Sequence, residues 1–124
     1  MATTATVRGV PTSELLGECR HIAWTLAAGE SGEWQAFTEF ADRSVQVAGT
    51  FNGATVTLQG SNDLTAPTNA STLTDPGGTP IVKTAIALVH ILEMPLWIRP
   101  AITGGGGSTA ITINLVVRRQ RGSK

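Results

Sequence analysis

A strict alternation of apolar and polar residues recurs along this chain and is broken only by turns. It is plainest in residues 44–51, 55–59 and 110–117. A period of two residues means that one face of an extended strand is buried and the opposite face contacts water. Strands of this kind, joined by turns rich in Gly, Asn and Pro, build antiparallel sandwiches or barrels. The sequence therefore predicts a small all-β protein that is nearly free of helix.

The inward positions of the alternating runs predict a single hydrophobic core. The chain has 124 residues, of which 41% are hydrophobic, and this length suits one domain with one core. Seven inward side chains are predicted to share that core, namely Trp24, Val47, Val56, Leu58, Ile111, Ile113 and Leu115.

Two turns are predicted to close hairpins. Asn52 and Gly53 lie between two alternating runs, and both residues tolerate the positive φ angles of a tight hairpin turn. We therefore expect residues 44–51 to pair with residues 55–59. The glycine-rich stretch 104–108 is predicted to be the flexible loop of a second hairpin that leads into the last strand.

Two further segments predict where strands lie within the sheets. Residues 85–92 are apolar on both faces. A helix is possible here, but the β-branched content and the flanking prolines favour a strand covered on both sides, with His90 partly buried in it. Pro95 and Pro100 bracket residues 96–99. Because proline cannot donate to a ladder, this strand is predicted to lie at a sheet edge or to end beside one.

Charge is low and balanced along the chain. Nine basic and nine acidic residues give a formal net charge of +0, and charged residues make up only 15% of the chain. A protein that binds nucleic acid normally carries a basic excess, so nucleic acid is not an expected partner. Surfaces with few charges often contact other proteins, because low charge removes the repulsion that keeps monomers apart. No apolar run approaches the ~20 residues of a membrane helix, so no membrane partner is expected.

The residues that would support catalysis or hold a metal are scattered. His21 and His90 have no partner at ligand spacing, and the single cysteine, Cys19, forms neither a zinc site nor an intrachain disulfide. Ser61 sits in a turn without the strand-turn-helix elbow of a nucleophile, although a triad with either histidine stays open. Three carboxylates fall at strand ends, where solvated charges are common, namely Glu33, Glu39 and Glu93. We therefore expect no enzymatic activity and no cofactor.

Two stretches resemble segments of small virion proteins from tailed bacteriophages. The first is residues 45–63, which include Val-Ala-Gly-Thr-Phe-Asn-Gly-Ala-Thr-Val-Thr-Leu-Gln-Gly-Ser-Asn-Asp. The second joins Trp-Ile-Arg-Pro at residues 97–100 and Thr-Gly-Gly at residues 103–105 to the closing stretch 112–119. Over residues 20–119 the chain is most similar to the small β-sandwich proteins that decorate or cement phage heads, and more loosely to phage fibre and collar modules.

This resemblance implies an antiparallel β-sandwich of jelly-roll type with an extended N-terminal arm. It implies a structural protein that decorates and cements a phage capsid by bridging neighbouring capsid subunits. The implied partners are the major capsid protein and further copies of this chain, as a homotrimer, at the capsid surface after assembly in the host cytoplasm. The alternative is a tail, collar or fibre module that binds a host-surface glycan, and residues 60–63 also resemble a strand end of discoidin-like carbohydrate-binding sandwiches.

The chain is accordingly divided into three parts. Residues 1–17 form the predicted arm, residues 18–119 the β-sandwich domain, and residues 120–124 a basic C-terminal tail. The arm lacks core-forming periodicity, but it carries apolar side chains that need a surface to pack against. The basic residues at the end of the chain are suited to binding an acidic surface. The candidate partner-binding residues are Val7, Val10, Leu15, Leu16, Trp97, Arg118, Arg119 and Arg121.

Overall fold

A computed structural model of this chain describes residues 2–3, 6–9, 19–36, 42–64 and 69–118. These residues form eleven strands, and none of them forms a helix that could cross a membrane. The strands are β1 Ala2–Thr3, β2 Thr6–Gly9, β3 Cys19–Leu26, β4 Ser31–Gly32, β5 Asp42–Thr50, β6 Ala54–Ser61, β7 Ser71–Thr72, β8 Val82–Lys83, β9 Ala87–His90, β10 Trp97–Gly104 and β11 Ala110–Arg118.

The strands form two sheets that pack face to face. One sheet has the order β1-β4-β10-β6-β7, with β8 also paired to β6, and is called the β10 sheet below. The other, the β11 sheet, has the order β2-β3-β11-β5-β9. All pairs between strands are antiparallel except the two-residue pair of β1 with β4, which is parallel. Strands that pass repeatedly from one sheet to the other in this order make a jelly roll, so the predicted fold class is confirmed.

The core lies between the two sheets and is built by the alternation seen in the sequence. In β11 the residues at odd positions from Ile111 to Val117 are buried, while the even positions between them are half-buried. All seven side chains predicted to share the core belong to one buried cluster. Trp24 is the largest of them, and its indole Nε1 donates a hydrogen bond to the backbone oxygen of Glu33 at 3.0 Å. The buried face of these alternating strands is therefore readable from the sequence.

The predicted pairing across Asn52 and Gly53 is wrong, although the turn itself is present. The φ angles of these residues are 47° and 84°, and the Ala54 N–H donates to the Phe51 oxygen at 2.8 Å. The strands on either side belong to different sheets, because β5 pairs with β11 and β9 whereas β6 pairs with β10, β7 and β8. Two alternating strands bury their apolar faces equally well side by side or stacked across a core, so alternation alone does not choose between these arrangements.

The glycine-rich loop, like the Asn52 turn, connects a strand of one sheet to a strand of the other. It connects β10 of one sheet to β11 of the other, so the second predicted hairpin is also wrong. Thr109 is buried at the end of this loop, where its hydroxyl accepts a hydrogen bond from Gly106 N–H at 2.9 Å and donates to the Phe51 oxygen at 3.1 Å. One hydroxyl therefore ties together the two turns that cross between the sheets.

The proline-bracketed strand lies inside its sheet and not at an edge. β10 pairs with β6 along its whole length, and on its other side it contacts β4 and the bridge partner Gln35. The bonds on that second side come from Ile98 and Ile102, which leaves a gap at Pro100. Gly32 lies in this gap, where a Cβ atom would be 2.8 Å from the Pro100 ring. A short, interrupted neighbour thus accommodates a proline that a continuous ladder would exclude.

The described parts of the N-terminal arm pair with the chain's own sheets. β2 pairs antiparallel with β3, from Thr6 opposite Ala23 to Gly9 opposite Arg20. β1 pairs with β4 at the edge of the other sheet. Residues 2–3 and 6–9 therefore add an edge strand to each sheet, and each of these strands pairs on one side with another strand of this chain.

Candidate functional site

A row of large apolar side chains lies on the surface along β9 and the segment that follows it. Every even-numbered residue from 86 to 94 is exposed, and the odd-numbered residues between them are buried or half-buried. Four of the five exposed residues are large and apolar, and the fifth is a histidine. The row, called the β9 strip below, consists of Ile86 (68% exposed), Leu88 (67%), His90, Leu92 (54%) and Met94 (62%).

The β9 strip lies at an open sheet edge. Within the part of the chain that the structure describes, β9 pairs with β5 alone, so its other side has no strand partner. Such edges are usually protected against pairing with other chains by lysine, proline or a very short strand. The stretch from Ile86 to Met94 contains neither lysine nor proline. Although β9 is only four residues long, an edge without lysine or proline beside a row of large apolar side chains is typical of a site that contacts another protein.

The segment after β9 is held firmly against the rest of the sandwich. The Ile91 N–H donates to the Arg43 oxygen at 3.0 Å, and the buried Arg43 guanidinium donates from Nη1 to the Pro95 oxygen at 3.3 Å. The Leu92 N–H donates to the Thr74 oxygen at 2.9 Å. These bonds fix the backbone on both sides of Leu92, so the strip is a preformed surface.

Glu93 adds a further anchor next to the strip. Its two carboxylate oxygens accept hydrogen bonds from the Thr74 N–H at 2.8 Å and the Thr74 hydroxyl at 2.6 Å. Burial by itself raises the pKa of Glu93, but the hydrogen bonds from Thr74 favour the ionised form and outweigh burial. The pKa of Glu93 therefore lies below its ordinary value.

Replacing Thr74 with valine should raise the pKa of Glu93 towards its ordinary value, because valine keeps the shape of threonine but lacks the hydroxyl donor. A carboxyl with a lowered folded-state pKa contributes stability above its unfolded pKa, and loses it as the pH falls through the folded value. That acid-sensitive part of the stability should shrink in Thr74→Val. Carboxyl NMR titration measures the pKa, with Thr72→Val as the control. Equal Glu93 pKa values in the wild type and Thr74→Val would contradict this prediction.

The sequence located this segment as a strand but predicted its exposure wrongly. Residues 85–92 were expected to be covered on both faces, with His90 partly buried. β9 instead has Leu88 and His90 exposed on one face and Ala87 and Val89 half-buried on the other. An apolar side chain on an outward face looks the same in sequence as one in a core, so only the sheet order reveals that this strand is at an edge.

Polar and aromatic side chains cluster on the outer face of the β10 sheet. The Arg99 guanidinium lies over the Trp34 ring, 4.6 Å from its centroid, and its Nε donates to Gln59 Oε1 at 2.9 Å. Trp97 is the next residue on the same face of β10, and its indole Nε1 donates to the Asp63 oxygen at 2.8 Å. Both tryptophans are half-buried. The sequence singled out Trp97 as a partner-binding residue, but nothing in it indicated that Arg99 stacks on Trp34, because this contact joins distant segments.

The predicted partner-binding residues do not come together at one place. Trp97 is in the β10 sheet, whereas Val7 lies in β2 of the β11 sheet, opposite Ile22. Arg118 is exposed at the end of β11, where it faces Asp42 of β5 and Cys19 of β3 in the ladder. The remaining candidates lie outside the described residues, namely Val10, Leu15, Leu16, Arg119 and Arg121.

The structure separates the groups of the triad that the sequence left open. Ser61 is on the outer face of β6 in the β10 sheet, whereas His21 and His90 are on the outer face of the β11 sheet. Packed sheets are ~10 Å apart, so side chains on opposite outer faces do not meet. Ser61 Oγ accepts a hydrogen bond from the Asp63 N–H at 3.2 Å, and His21 Nε2 contacts Asn114 Oδ1 at 2.8 Å. These side chains support turn and sheet geometry.

Shallow clefts open on the surface between described residues, two of them close to side chains discussed above. One, of about 290 Å³, is lined in part by Ser61, Glu93 and Met94, so it adjoins the end of the β9 strip. The other, of about 250 Å³, is lined in part by His90 and Arg118. Within the described ranges, no group of three or more His, Cys, Asp or Glu side chains could hold a metal ion.

Several solved structures are similar to this chain. The SPBc2 prophage-derived protein YomS is similar over 80% of this chain and 93% of its own, with a TM-score of 0.58 and 9% sequence identity. A cupin domain of an XRE family transcriptional regulator from Enterobacter cloacae is similar over 94% of this chain and 98% of its own, with a TM-score of 0.48 and 12% identity. A cupin superfamily protein from Desulfitobacterium hafniense is similar over 94% of this chain and 78% of its own, with a TM-score of 0.46 and 11% sequence identity. No protein-family model and no curated protein matches the sequence. The likeness to YomS shows a common β-sandwich fold and no more.

Proposed function

We propose that this protein is a structural virion protein that decorates and cements a phage capsid by bridging neighbouring capsid subunits. The observation that carries the proposal is the β9 strip, a rigid apolar surface beside an open strand edge. A strand of the major capsid protein that pairs with β9 would use its free main-chain groups and cover Leu88 at the same time. YomS, which has the same fold, is a prophage-derived protein, and this agrees with a phage origin.

The size of the apolar surface suits attachment to a repetitive shell. Complete burial of one large apolar side chain contributes about 1.5–3 kcal/mol, and part of this is offset by the cost of association. A few such side chains give a modest contact in a single copy. Linked copies of the chain bind many identical sites at once, which makes the attachment collectively tight. The proposal therefore includes self-association, as a homotrimer at the capsid surface after assembly in the host cytoplasm.

The N-terminal arm and the basic residues at the chain end also contribute to the proposed attachment. Since residues 6–9 already pair with β3, the described part of the arm contributes to the sandwich edge and leaves the β9 edge for the capsid. The apolar residues of the arm, including Val7 of β2, and the basic residues at the chain end would add further contacts with neighbouring subunits. These residues are Val7, Val10, Leu15, Leu16, Arg118, Arg119 and Arg121.

Replacing Ile86 and Leu88 together with serine should weaken binding to expanded, undecorated phage heads by at least about 100-fold, because two large apolar side chains no longer leave water on binding. Both side chains are mostly exposed in the free protein, so the fold should be unaffected. Co-sedimentation with heads measures binding, and sedimentation velocity of the free protein measures its oligomeric state. The matched control is Leu64→Ser with Val82→Thr, which alters two exposed apolar side chains outside the strip.

The same experiment separates attachment to the capsid from the glycan-binding alternative. Equal head binding by the Ile86→Ser/Leu88→Ser variant and the wild type would reject the strip as the attachment surface. Absence of head binding by the wild type would reject the cement function itself. A Trp97→Ala variant that loses binding to host cells, while the strip variant keeps it, would favour a tail, collar or fibre module.

A further inference from the structure

Arg99 is held in one orientation on the outer face of the β10 sheet. One flat side of its guanidinium rests over Trp34, and its Nε is bound to Gln59 Oε1. A stacked guanidinium whose inner nitrogen is occupied keeps its two terminal nitrogens fixed and directed away from these partners. Arg99 is thus a preorganised donor pair rather than a mobile surface cation.

The outward end of this arginine has no counter-ion within the chain as described. Among the described residues, no acceptor contacts Nη1 or Nη2 of Arg99, and no carboxylate forms an ion pair with it. Partial burial lowers the pKa of Arg99, although arginine stays charged in proteins. A partly desolvated guanidinium with a free fork matches the geometry of a carboxylate, which accepts two parallel hydrogen bonds.

The ladder neighbours of Arg99 on this face are polar and uncharged. Gln59 lies opposite Arg99 in the ladder and Thr72 opposite Gln59, while Thr57 and Ser31 flank the next outward position of β10. These side chains offer hydroxyl and amide groups that both donate and accept hydrogen bonds. The half-buried rings of Trp34 and Trp97 add flat apolar surface on the same face.

This arrangement selects among anionic ligands. Nucleic acids require many cations along a groove, and a single guanidinium set among neutral groups does not supply them. An acidic peptide offers carboxylates and main-chain hydrogen-bonding groups, but its carboxylate is not attached to a flat face of C–H groups that an indole could contact. A sugar ring with one carboxylate matches the guanidinium, the polar side chains and the indole rings. Its carboxylate pairs with the guanidinium, its hydroxyls pair with the polar side chains, and its face of C–H groups contacts an indole.

We propose that the face centred on Arg99 is a binding site for a carboxylated saccharide, whose carboxylate is held by the two terminal nitrogens of Arg99. The sugar ring lies against an indole, and its hydroxyls pair with the neighbouring Gln59 and Thr57. Trp34 and Gln59 position the guanidinium. The site is on the opposite outer face from β9, so this inference goes beyond attachment to a capsid and does not depend on it.

Isothermal titration of the full-length protein with an oligogalacturonate and with sialyl-lactose tests the site, each compared with its methyl ester. We expect at least one of the two acids to bind, and its ester to bind at least about 10-fold more weakly, since the ester lacks the anion. Arg99→Met should cause a loss of the same size. Arg99→Lys, which keeps the charge but not the fork or the stacking, should also bind more weakly. Lys83→Gln, which removes a charge from the same sheet, should bind as the wild type does.

Three results would overturn the proposal. The first is equal affinity for an acid and its methyl ester. The second is unchanged affinity in Arg99→Met with an unchanged melting temperature. The third is no binding of either acid, and binding of hexaglutamate in that case would assign the face to an acidic protein partner. If Arg99→Met fails to fold, Arg99→Lys and the ester comparison on the wild type decide the question.

Discussion

Truncation of Leu58 or Ile113 to alanine should lower the free energy of unfolding by about 2–5 kcal/mol, because each change leaves a cavity in a packed core. Leu58 in β6 is 1% exposed and Ile113 in β11 is 0% exposed, so they face each other's sheets across the sandwich. A domain of this size has a total stability of about 5–15 kcal/mol, so either loss is a large fraction of it. Urea unfolding with an unchanged m-value measures the effect.

A surface variant of the same strands gives the comparison for these core changes. Thr25 is exposed in β3, and Thr25→Ala should alter the stability by no more than about 0.5 kcal/mol. The core assignment would be wrong if Leu58→Ala and Ile113→Ala had midpoints within the range of this surface variant. Circular dichroism dominated by helix would refute the fold itself.

Substitution of Gly49 by alanine should cost about 3 kcal/mol or more, for two additive reasons. Its φ is +125°, a backbone conformation that residues with a side chain rarely adopt. A Cβ atom there would also collide with the backbone oxygen of Ala110 and lie 3.2 Å from the Ile111 Cα. These are backbone atoms of the paired strand β11, so relief of the clash requires disruption of the β5–β11 ladder. Thermal or urea unfolding measures the loss.

A comparison with Gly53→Ala separates the effect of the positive φ from the effect of the clash. Its φ is +84°, but a Cβ atom there would meet nothing within 4 Å, so Gly53→Ala introduces backbone strain without a clash. We expect Gly53→Ala to cost about 1–2 kcal/mol. The difference between the two alanine variants measures the collision at β11. Equal losses at the two positions would show that the close approach of β5 and β11 at Gly49 is not important for stability.

The two proposed binding surfaces differ in chemistry and can be inactivated independently. The β9 strip is apolar and lies at an edge of the β11 sheet. The Arg99 face is polar and lies on the outer face of the β10 sheet, on a strand that has neighbours on both sides. A serine in place of Leu88 removes apolar area, and a methionine in place of Arg99 removes a guanidinium. Each change leaves the other surface untouched, so failure of one proposal has no bearing on the other.

The candidate sites were less predictable from the sequence than the fold. Trp97 and Arg118 were identified and are on the surface, but the side chains that surround them come from other strands. The stacking of Arg99 on Trp34 joins residues 65 positions apart in the sequence, and no local pattern indicates it. A surface site on a sandwich is formed by strand order, which alternation does not encode.

For the alternating segments, the sequence by itself determined that they are strands, which of their faces is buried, and where the chain turns between them. Strand periodicity depends only on local backbone geometry, so Ile111, Ile113 and Leu115 could be assigned to the core before any pairing was known. Only the tertiary structure decided that the Asn52 turn and the glycine-rich loop cross between sheets, because both arrangements bury the same faces. It also decided that β9 is an edge and that Leu88 is exposed, since exposure depends on which strands are neighbours and not on the side chain alone.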